Sequence, residues 1–260
     1  MYQFNYHKPS TLTEATSRMV EAEEGAYLSG GMTLIPTLKQ RLAAPSDVID
    51  LSGLPGMSGI SIDGDIVSIG AMTRHAEVAA SDAIPALAEL AGGIGDAHVR
   101  NRGTLGGSIA NSDPAADYPA AIVALDSTVR TSIGPIAGGD FFTGLFETAL
   151  REGEIVTSVD FRIPDAAAYE KFPNPASRYA VVGVMVARCG DAVCVGVTGA
   201  GPHAFRATAL EEALAADFSP GAVDGVAVDS SDFNADIHAS AEYRAHLVGV
   251  LTKRAVARIG

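Results

Sequence analysis

Residues 94–119 read IGDAHVRNRGTLGGSIANSDPAADYP and contain glycine at four positions, including the adjacent pair Gly106-Gly107. The hydroxyl residues Thr104 and Ser108 flank this pair. Adjacent glycines allow positive φ angles and let successive backbone N–H groups converge on one anion. Where such a loop opens a helix, the helix dipole adds to the attraction. The stretch is therefore a candidate phosphate-binding loop.

A second loop of the same kind lies nearer the N-terminus, at Ser29-Gly-Gly-Met-Thr33. It follows a predicted strand, Ala26–Leu28, and opens a predicted helix with Pro36 in its first turn, where proline is favoured. Two such loops suit two phosphates, that is, a pyrophosphate held by backbone amides without a lysine. The other interpretation, that both Gly-Gly pairs only mark tight turns, stays open from the residues alone.

Around these loops the hydrophobic pattern alternates between the helical period and the strand period. We predict helices at Thr11–Glu24, Thr73–Ala80, Ile84–Ala91 and Pro119–Leu125, and strands at Asp47–Leu51, Ile60–Ile62, Ile66–Ile69, Val129–Ser132 and Ile155–Ile163.

The segment Pro164–Pro175 is rich in proline, alanine and polar residues and is predicted to be a linker. Beyond it, the pattern predicts apolar strands at Tyr179–Ala187 and Ala192–Val197 and helices at Phe205–Ala215 and Ala241–Ile259. The sequence therefore predicts an α+β protein with one domain at 1–165 and a second at 166–260.

The chain of 260 residues has 31 acidic and 18 basic residues, which gives a net charge of −13. Such a chain repels nucleic acid phosphates and anionic lipid surfaces. No apolar run reaches the roughly 18 residues of a membrane span, and the N-terminus lacks the pattern of a signal peptide. We therefore expect a cytoplasmic protein that binds no nucleic acid and does not span a membrane.

The two cysteines, Cys189 and Cys194, flank a Gly-Asp turn between apolar runs. We expect them to be reduced and to face each other across a hairpin. They are too few for a [2Fe–2S] cluster, which takes about four thiolates, so any iron–sulfur centre would belong to another chain. Metal-binding and nucleophile motifs are missing, so we predict neither a metal site nor a catalytic residue. His75 and His98 are interpreted as polar groups at turns or helix ends.

Two blocks, SGGMTLIP over Ser29–Pro36 and the stretch 94–119, closely resemble the FAD-binding medium subunit of molybdenum hydroxylases. This is the flavoprotein family of carbon monoxide dehydrogenase and xanthine dehydrogenase. Shorter matching motifs occur in the same order up to about residue 215: Thr73-Arg-His75, Ala124-Leu-Asp126, Asp140-Phe-Phe-Thr-Gly144, Glu154-Ile-Val156, Tyr169-Glu-Lys171 and Ser177-Arg-Tyr-Ala-Val-Val182. The sequence departs from the family where Thr131–Asp140 is short and lacks an arginine that many members carry.

The resemblance implies an FAD-binding domain of the PCMH/vanillyl-alcohol-oxidase type, built from two α+β subdomains. A C-terminal α+β domain, like that of the CO dehydrogenase flavoprotein, would follow. FAD would lie extended between the subdomains, and the two loops would wrap its pyrophosphate and ribityl chain. The loop residues implied to bind it are Leu28, Ser29, Gly30, Gly31, Met32, Thr33, Leu34, Ile35, Thr104, Leu105, Gly106, Gly107 and Ser108.

The resemblance implies that five further residues contact the cofactor. Asp117 would accept hydrogen bonds from ligand hydroxyls, although it could also cap the following helix. Ile94 and Val156 would make apolar or backbone contacts. Lys171 would place a cation near the pyrimidine end of the isoalloxazine, or be a solvated linker residue. Tyr179 would shield the outer face of the flavin, or simply start a core strand.

The implied function is that of an FAD-carrying electron-transfer subunit. Substrate would be hydroxylated at a molybdenum cofactor on a large subunit, and electrons would pass through two [2Fe–2S] clusters on a small subunit to FAD and then to an external acceptor. The complex would be a dimer of heterotrimers. Two alternatives stay open: a stand-alone PCMH-fold flavin reductase or oxidase, for which the sequence offers no catalytic acid, and a flavin-free scaffold subunit.

Overall fold

The computed structural model describes residues 1–260. The first of its sheets lies near the N-terminus. Three strands, β1 (Asn5–His7), β2 (Gly25–Leu28) and β3 (Asp47–Asp50), pair in parallel in the order β1–β3–β2. Parallel neighbours need crossover connections, and these are the helices α1 (Leu12–Glu21) and α2 (Leu34–Lys39). The first Gly-Gly loop therefore joins the end of β2 to the start of α2.

The second sheet is antiparallel and has five strands in the order β4–β5–β10–β6–β7. Its strands are β4 (Ile60–Asp63), β5 (Ile66–Gly70), β6 (Thr128–Thr131), β7 (Pro135–Ala137) and β10 (Val156–Arg162). Between β5 and β6 the chain forms the helices α3 (His75–Ala79), α4 (Pro85–Gly92), α5 (Ala97–Arg100), α6 (Leu105–Asn111) and α7 (Tyr118–Ala124). After β7 come α8 (Gly138–Phe141) and a short hairpin of β8 (Phe142–Gly144) and β9 (Glu147–Thr148).

The third sheet is formed by the C-terminal part of the chain and has four antiparallel strands in sequence order. Its elements are β11 (Ala166–Pro173), β12 (Ala180–Cys189), β13 (Ala192–Thr198), β14 (Phe205–Arg206), α9 (Thr208–Ala216) and α10 (Ala241–Ile259). Helix α10 packs on β11 and β12, whereas α7 packs on β12 and β13. The central strand β12 is therefore covered on both faces, which explains its nearly continuous apolar sequence.

The loop that ends the 94–119 stretch ties this third sheet to the rest of the molecule. The hydroxyl of Thr198 donates to the carbonyl of Ala116 at 2.6 Å, and the amide of Ala180 donates to Ala115 at 3.1 Å. A Cβ on Gly196 would lie 2.2 Å from the carbonyl of Ala120, so only glycine lets β13 approach α7 this closely. These contacts hold the start of α7, and with it Asp117, in a fixed position.

Local sequence signals explain several of these boundaries. Thr11 caps α1 by accepting from the amide of Glu14 at 3.1 Å, and Ser240 caps α10 by accepting from the amide of Tyr243. The hairpin between β4 and β5 turns at Gly64, whose φ is +61°. The predicted α+β class is confirmed, and no helix is both long enough and apolar enough to cross a membrane.

Two sequence predictions are wrong. The predicted linker Pro164–Pro175 is mostly β11, which pairs with β12 from Ala166 to Pro173. Its short alanine and polar side chains fit an outer strand covered by α10, so composition alone was misleading. The two cysteines do not face each other either, because Cys189 pairs with Ala192 while Cys194 pairs with Ala187. Both are free and partly buried.

Candidate functional site

A cavity of about 670 Å³ lies between the first two sheets and the loop that precedes β12. This volume falls in the range of roughly 300–1,000 Å³ that is common for small-molecule and cofactor sites. Fourteen of the eighteen residues predicted from the sequence line it: Ser29, Gly30, Gly31, Met32, Thr33, Leu34, Ile94, Thr104, Gly106, Gly107, Ser108, Asp117, Val156 and Tyr179. Leu28, Ile35, Leu105 and Lys171 are not lining residues.

The first loop presents a row of free backbone donors to the cavity. None of the N–H groups of the six residues 29–34 donates to a backbone carbonyl, and Thr33 makes no side-chain cap to α2. Gly31 has a φ of +75°, in the left-handed region that favours glycine. Unsatisfied amides on a cavity wall are suited to an anionic ligand. The loop therefore has unpaired donors of the kind that a phosphate group needs.

The two Gly-Gly loops pack directly against each other. The hydroxyl oxygens of Ser29 and Thr104 lie 2.6 Å apart, within hydrogen-bonding distance. A Cβ on Gly30 would lie only 2.1 Å from the carbonyl oxygen of Arg102, so no side chain fits there. The loops therefore form one continuous wall, although 75 residues separate Ser29 from Thr104.

The second loop differs from the first because its amides already have partners. Thr104 caps α6, and its hydroxyl accepts from the amide of Gly107 at 3.2 Å. The amides of Leu105 and Gly106 donate to the carbonyls of Thr73 and Ala71 at 3.0 and 2.8 Å. The expectation of two equivalent amide cradles therefore needs correction. The first loop offers free donors, and the second offers a smooth glycine surface and the hydroxyl of Ser108.

Asp117 is buried where α7 begins, with only 4% of its surface exposed. Its Oδ1 accepts from the hydroxyl of Tyr169 at 2.7 Å and lies 2.9 Å from the ammonium of Lys171, whereas no protein group donates to Oδ2. Asp117 makes no cap bond to its own helix. Burial raises the pKa of Asp117, an effect that the ammonium of Lys171 opposes. The free oxygen can therefore accept a hydrogen bond from a ligand in the cavity.

Lys171 lies behind Asp117, outside the cavity wall. Its ammonium also donates to the carbonyls of Gly93 and Arg178, at 2.9 and 3.0 Å, so its three donors all have acceptors. Lys171 is thus neither a solvated linker residue nor in direct contact with the cavity. Lys171 acts on the cavity only through its ion pair with Asp117.

Tyr179 stands at the mouth of the cavity, and 45% of its surface is exposed. It lies just before β12, in a tight loop where the amide of Asn174 donates to its carbonyl at 2.8 Å. The guanidinium of Arg178 donates to the carbonyl of Gly95 at 3.0 Å and fixes this loop against the 94–119 stretch. Tyr179 therefore precedes the strand, as a partly exposed ring over the cavity.

Several lining residues were not predicted, including Tyr27, Met57, His75 and Arg178. His75 is 5% exposed, and burial, with a smaller contribution from Arg100, lowers its pKa to about 4. Its ring lies 5.3 Å from that of Tyr118, and its Nδ1 has no hydrogen-bond partner. His75 and Arg178 occur in the short motifs quoted above, but no signal marked Met57.

Comparison with known families covers nearly the whole chain. Residues 2–166 match the model of the FAD binding domain in molybdopterin dehydrogenase, and residues 167–259 match the CO dehydrogenase flavoprotein C-terminal domain.

Relatives and solved structures agree with these matches. The nicotine 6-hydroxylase medium subunit of Paenarthrobacter nicotinovorans and the carbon monoxide dehydrogenase medium chain of Hydrogenophaga pseudoflava are each 32% identical, over 98% of this chain and 96% of theirs. A structure of reconstituted CO dehydrogenase from Oligotropha carboxidovorans matches with a TM-score of 0.90 at 30% identity, covering 99% of this chain and 97% of that one. Quinoline 2-oxidoreductase from Pseudomonas putida 86 matches with a TM-score of 0.87 at 26% identity, covering 99% and 96%.

The fold and the amide-lined cavity, together with the family matches, define an FAD-binding flavoprotein. The chain belongs to the family of FAD-binding medium subunits of molybdenum hydroxylases, which are oxidoreductase subunits. The family and the cofactor predicted from the sequence are thereby confirmed.

Proposed function

We propose that this chain is the electron-transfer subunit of a molybdenum-dependent hydroxylase or dehydrogenase, and that FAD lies in the 670 Å³ cavity. The observation that carries the proposal is the row of unpaired amides over residues 29–34 on the cavity wall. An acidic protein can hold a dinucleotide pyrophosphate there because the donors are backbone amides, whatever its net charge.

Each part of the wall has a role in this proposal. The amides of Ser29–Leu34 hold the pyrophosphate. Because Gly106 and Gly107 have no side chains, FAD can approach the protein backbone closely there. Asp117 accepts a hydrogen bond from the ligand through Oδ2, while Lys171 holds the carboxylate in place. Tyr179 covers the isoalloxazine ring at the mouth of the cavity. FAD, when bound, supplies a store that accepts and releases electrons singly or in pairs.

We further propose that electrons come from two [2Fe–2S] clusters on a small subunit, which receives them from a molybdenum cofactor on a large subunit. The assembly would be a dimer of heterotrimers. Relatives that match over nearly their full length are named medium subunits or medium chains, which supports a multi-subunit complex. Within this chain, we propose an FAD domain at 1–165 and a C-terminal domain at 166–260.

The test compares the isolated flavoprotein with the complete complex. The isolated chain should keep FAD yet oxidise no aldehyde, purine, N-heterocycle or carbon monoxide. In rapid mixing of the complex with its substrate, the iron–sulfur absorbance should change before the flavin bleaches. If the isolated chain turned over substrate as fast as the complex, it would be a stand-alone flavin reductase or oxidase. A colourless purified chain that takes up no added FAD would indicate a flavin-free scaffold.

A further inference from the structure

His75 is a buried polar side chain on the wall of the cavity. It begins α3, and its ring lines the cavity although only 5% of the residue's surface is exposed. Its Nδ1 is enclosed by protein and has no hydrogen-bond partner. Its Nε2 makes no hydrogen bond to the protein either, but this atom is not enclosed. Nε2 is therefore the ring nitrogen that a molecule in the cavity can reach.

Gly103 links Nε2 of His75 to the first Gly-Gly loop. A Cβ on Gly103 would lie 2.5 Å from Nε2, and a Cβ on Gly30 would lie 2.8 Å from the Cα of Gly103. Gly103 thus contacts both the imidazole and the loop that carries the unpaired amides. Because Gly30, His75 and Gly103 all line the cavity, the imidazole and the amides border the same part of it.

Tyr118 is a second buried polar group without a partner, and it lies beside His75. The two ring centroids are 5.3 Å apart. Burial, with a smaller contribution from Asp117, raises the pKa of Tyr118, so its hydroxyl keeps its proton and is a donor. Apart from this hydroxyl, the only buried side-chain atom without a partner that can accept a hydrogen bond is Nδ1 of His75. A bond from the hydroxyl to Nδ1 would satisfy both atoms.

The charge state of His75 decides which of its nitrogens donates. Burial, and to a lesser extent the cation of Arg100, lowers the pKa of His75 to about 4, so the ring is neutral near pH 7. A neutral imidazole has one N–H donor and one acceptor nitrogen. If Nδ1 accepts from Tyr118, the proton is on Nε2, and the N–H points at the cavity.

We propose that His75 is a further cofactor-binding residue, whose Nε2–H donates to a pyrophosphate oxygen of FAD, and that Tyr118 is its positioning residue. The inference rests on the proposed function above, because it takes the cavity as the FAD site. A hydrogen bond to a charged oxygen is stronger than one between two neutral groups. The side-chain donor of His75 thus adds to the backbone amides of the first loop, and all the unpaired atoms gain partners together.

The affinities of the flavin-free full chain for FAD and for ADP-ribose test this inference. ADP-ribose carries a pyrophosphate but no flavin, so it isolates the proposed contact. Flavin fluorescence reports FAD binding and calorimetry reports ADP-ribose binding. His75→Met removes the donor, whereas His75→Gln keeps an N–H donor near the position of Nε2. His98→Met is the matched control, because His98 is exposed in α5 and does not line the cavity.

We expect His75→Met to bind both FAD and ADP-ribose at least about tenfold more weakly than the wild type. His75→Gln should restore most of both affinities, which a loss of packing alone would not allow, and His98→Met should match the wild type. Unchanged affinity in folded His75→Met would overturn the proposal. A loss confined to FAD would also overturn it, since the contact would then be to the flavin half of the cofactor.

Nitrogen NMR of the histidine-labelled, FAD-loaded chain tests the role of Tyr118 without relying on affinity. The signals of His75, assigned with His75→Gln, should show the proton on Nε2. The Nδ1 signal should shift in Tyr118→Phe, which removes only the hydroxyl. A proton on Nδ1, or an Nδ1 signal that Tyr118→Phe leaves unchanged, would overturn the proposal even if His75→Met failed to fold. If the wild type took up no FAD, the proposed function itself would fail and this inference with it, whereas the other contrary results would overturn this inference alone.

Discussion

Glycine is required in the two loops because neighbouring atoms lie too close to the backbone for a side chain to fit. Gly30 packs against the carbonyl of Arg102, while Gly107 faces the hydroxyl pair of Thr104 and Ser29. A Cβ on Gly107 would lie 2.9 Å from Oγ1 of Thr104 and 3.3 Å from Oγ of Ser29. A side chain at this position must therefore displace the hydroxyls that join the loops or extend into the cavity.

Replacing Gly107 with valine should weaken FAD binding by at least about tenfold, because the branched side chain occupies the surface that the ligand approaches. Flavin fluorescence during titration of the flavin-free protein measures this affinity. Gly249→Val is the matched control: it places the same residue in α10, where a Cβ meets nothing within 4 Å. Equal FAD affinity in folded Gly107→Val and wild-type protein would contradict the assignment of this loop to the cofactor.

His75 should make the stability of the chain depend on pH. Its pKa is lowered from 6.5 to about 4, so the unfolded chain binds the proton more tightly than the folded one. Stability should therefore be complete above pH 6.5 and fall by about 3 kcal/mol as the pH drops to about 4. Urea unfolding of the flavin-free protein at several pH values measures this loss.

The matched variants for this prediction are His75→Gln and His98→Gln. The first removes the buried ring and should flatten the profile between pH 4 and 6.5. The second replaces an exposed histidine and should keep the wild-type profile. If both variants retained the full dependence, groups other than His75 would be responsible.

At the scale of elements, Lys171 and Asp117 join three segments that are distant in sequence. The side chain of Lys171 projects from β11 to the start of α7 and to the carbonyl of Gly93 at the end of α4. Both partners are buried, with 11% and 4% of their side chains exposed. The pair therefore connects the C-terminal sheet to the start of α7 and the end of α4.

Removing one partner of this ion pair should destabilise the fold by more than the intact pair stabilises it, because the other charge is left buried without a partner. We expect Asp117→Asn to lower the free energy of unfolding by about 3 kcal/mol, and the double variant with Lys171→Met to be more stable than the sum of the single variants predicts. Urea unfolding of the flavin-free proteins measures both. The exposed pair Arg18–Glu21 is the control, and Glu21→Gln should change stability by less than about 0.5 kcal/mol. If the effects of Asp117→Asn and Lys171→Met on the free energy of unfolding were strictly additive, the two side chains would not be coupled.

The elements that the sequence predicted well are those specified by local signals. Helix α10 has a capping serine and a regular apolar period, and its predicted range agrees with the structure at both ends. Strand β11 was missed because it is held by pairing with β12 and packing against α10, neither of which is visible in its own residues. The Gly-Gly loops marked the cavity, but Met57 and Arg178 reach it only through tertiary structure. The partnered amides at Leu105 and Gly106 likewise depend on distant carbonyls.

At the scale of the whole molecule, the C-terminal sheet contributes to the proposed flavin site without forming its phosphate cradle. It supplies Tyr169 and Lys171, which hold Asp117, and the loop bearing Tyr179. In the proposed site, the FAD-binding domain thus holds the cofactor, while the C-terminal sheet and the loop before β12 order one side of it.

Acid precipitation of the purified chain measures directly whether the cavity holds one FAD by non-covalent contacts. We expect the precipitated protein to be colourless and the supernatant to contain FAD at one molecule per chain. Flavin retained in the pellet, or a supernatant without flavin from protein already incubated with FAD, would contradict it.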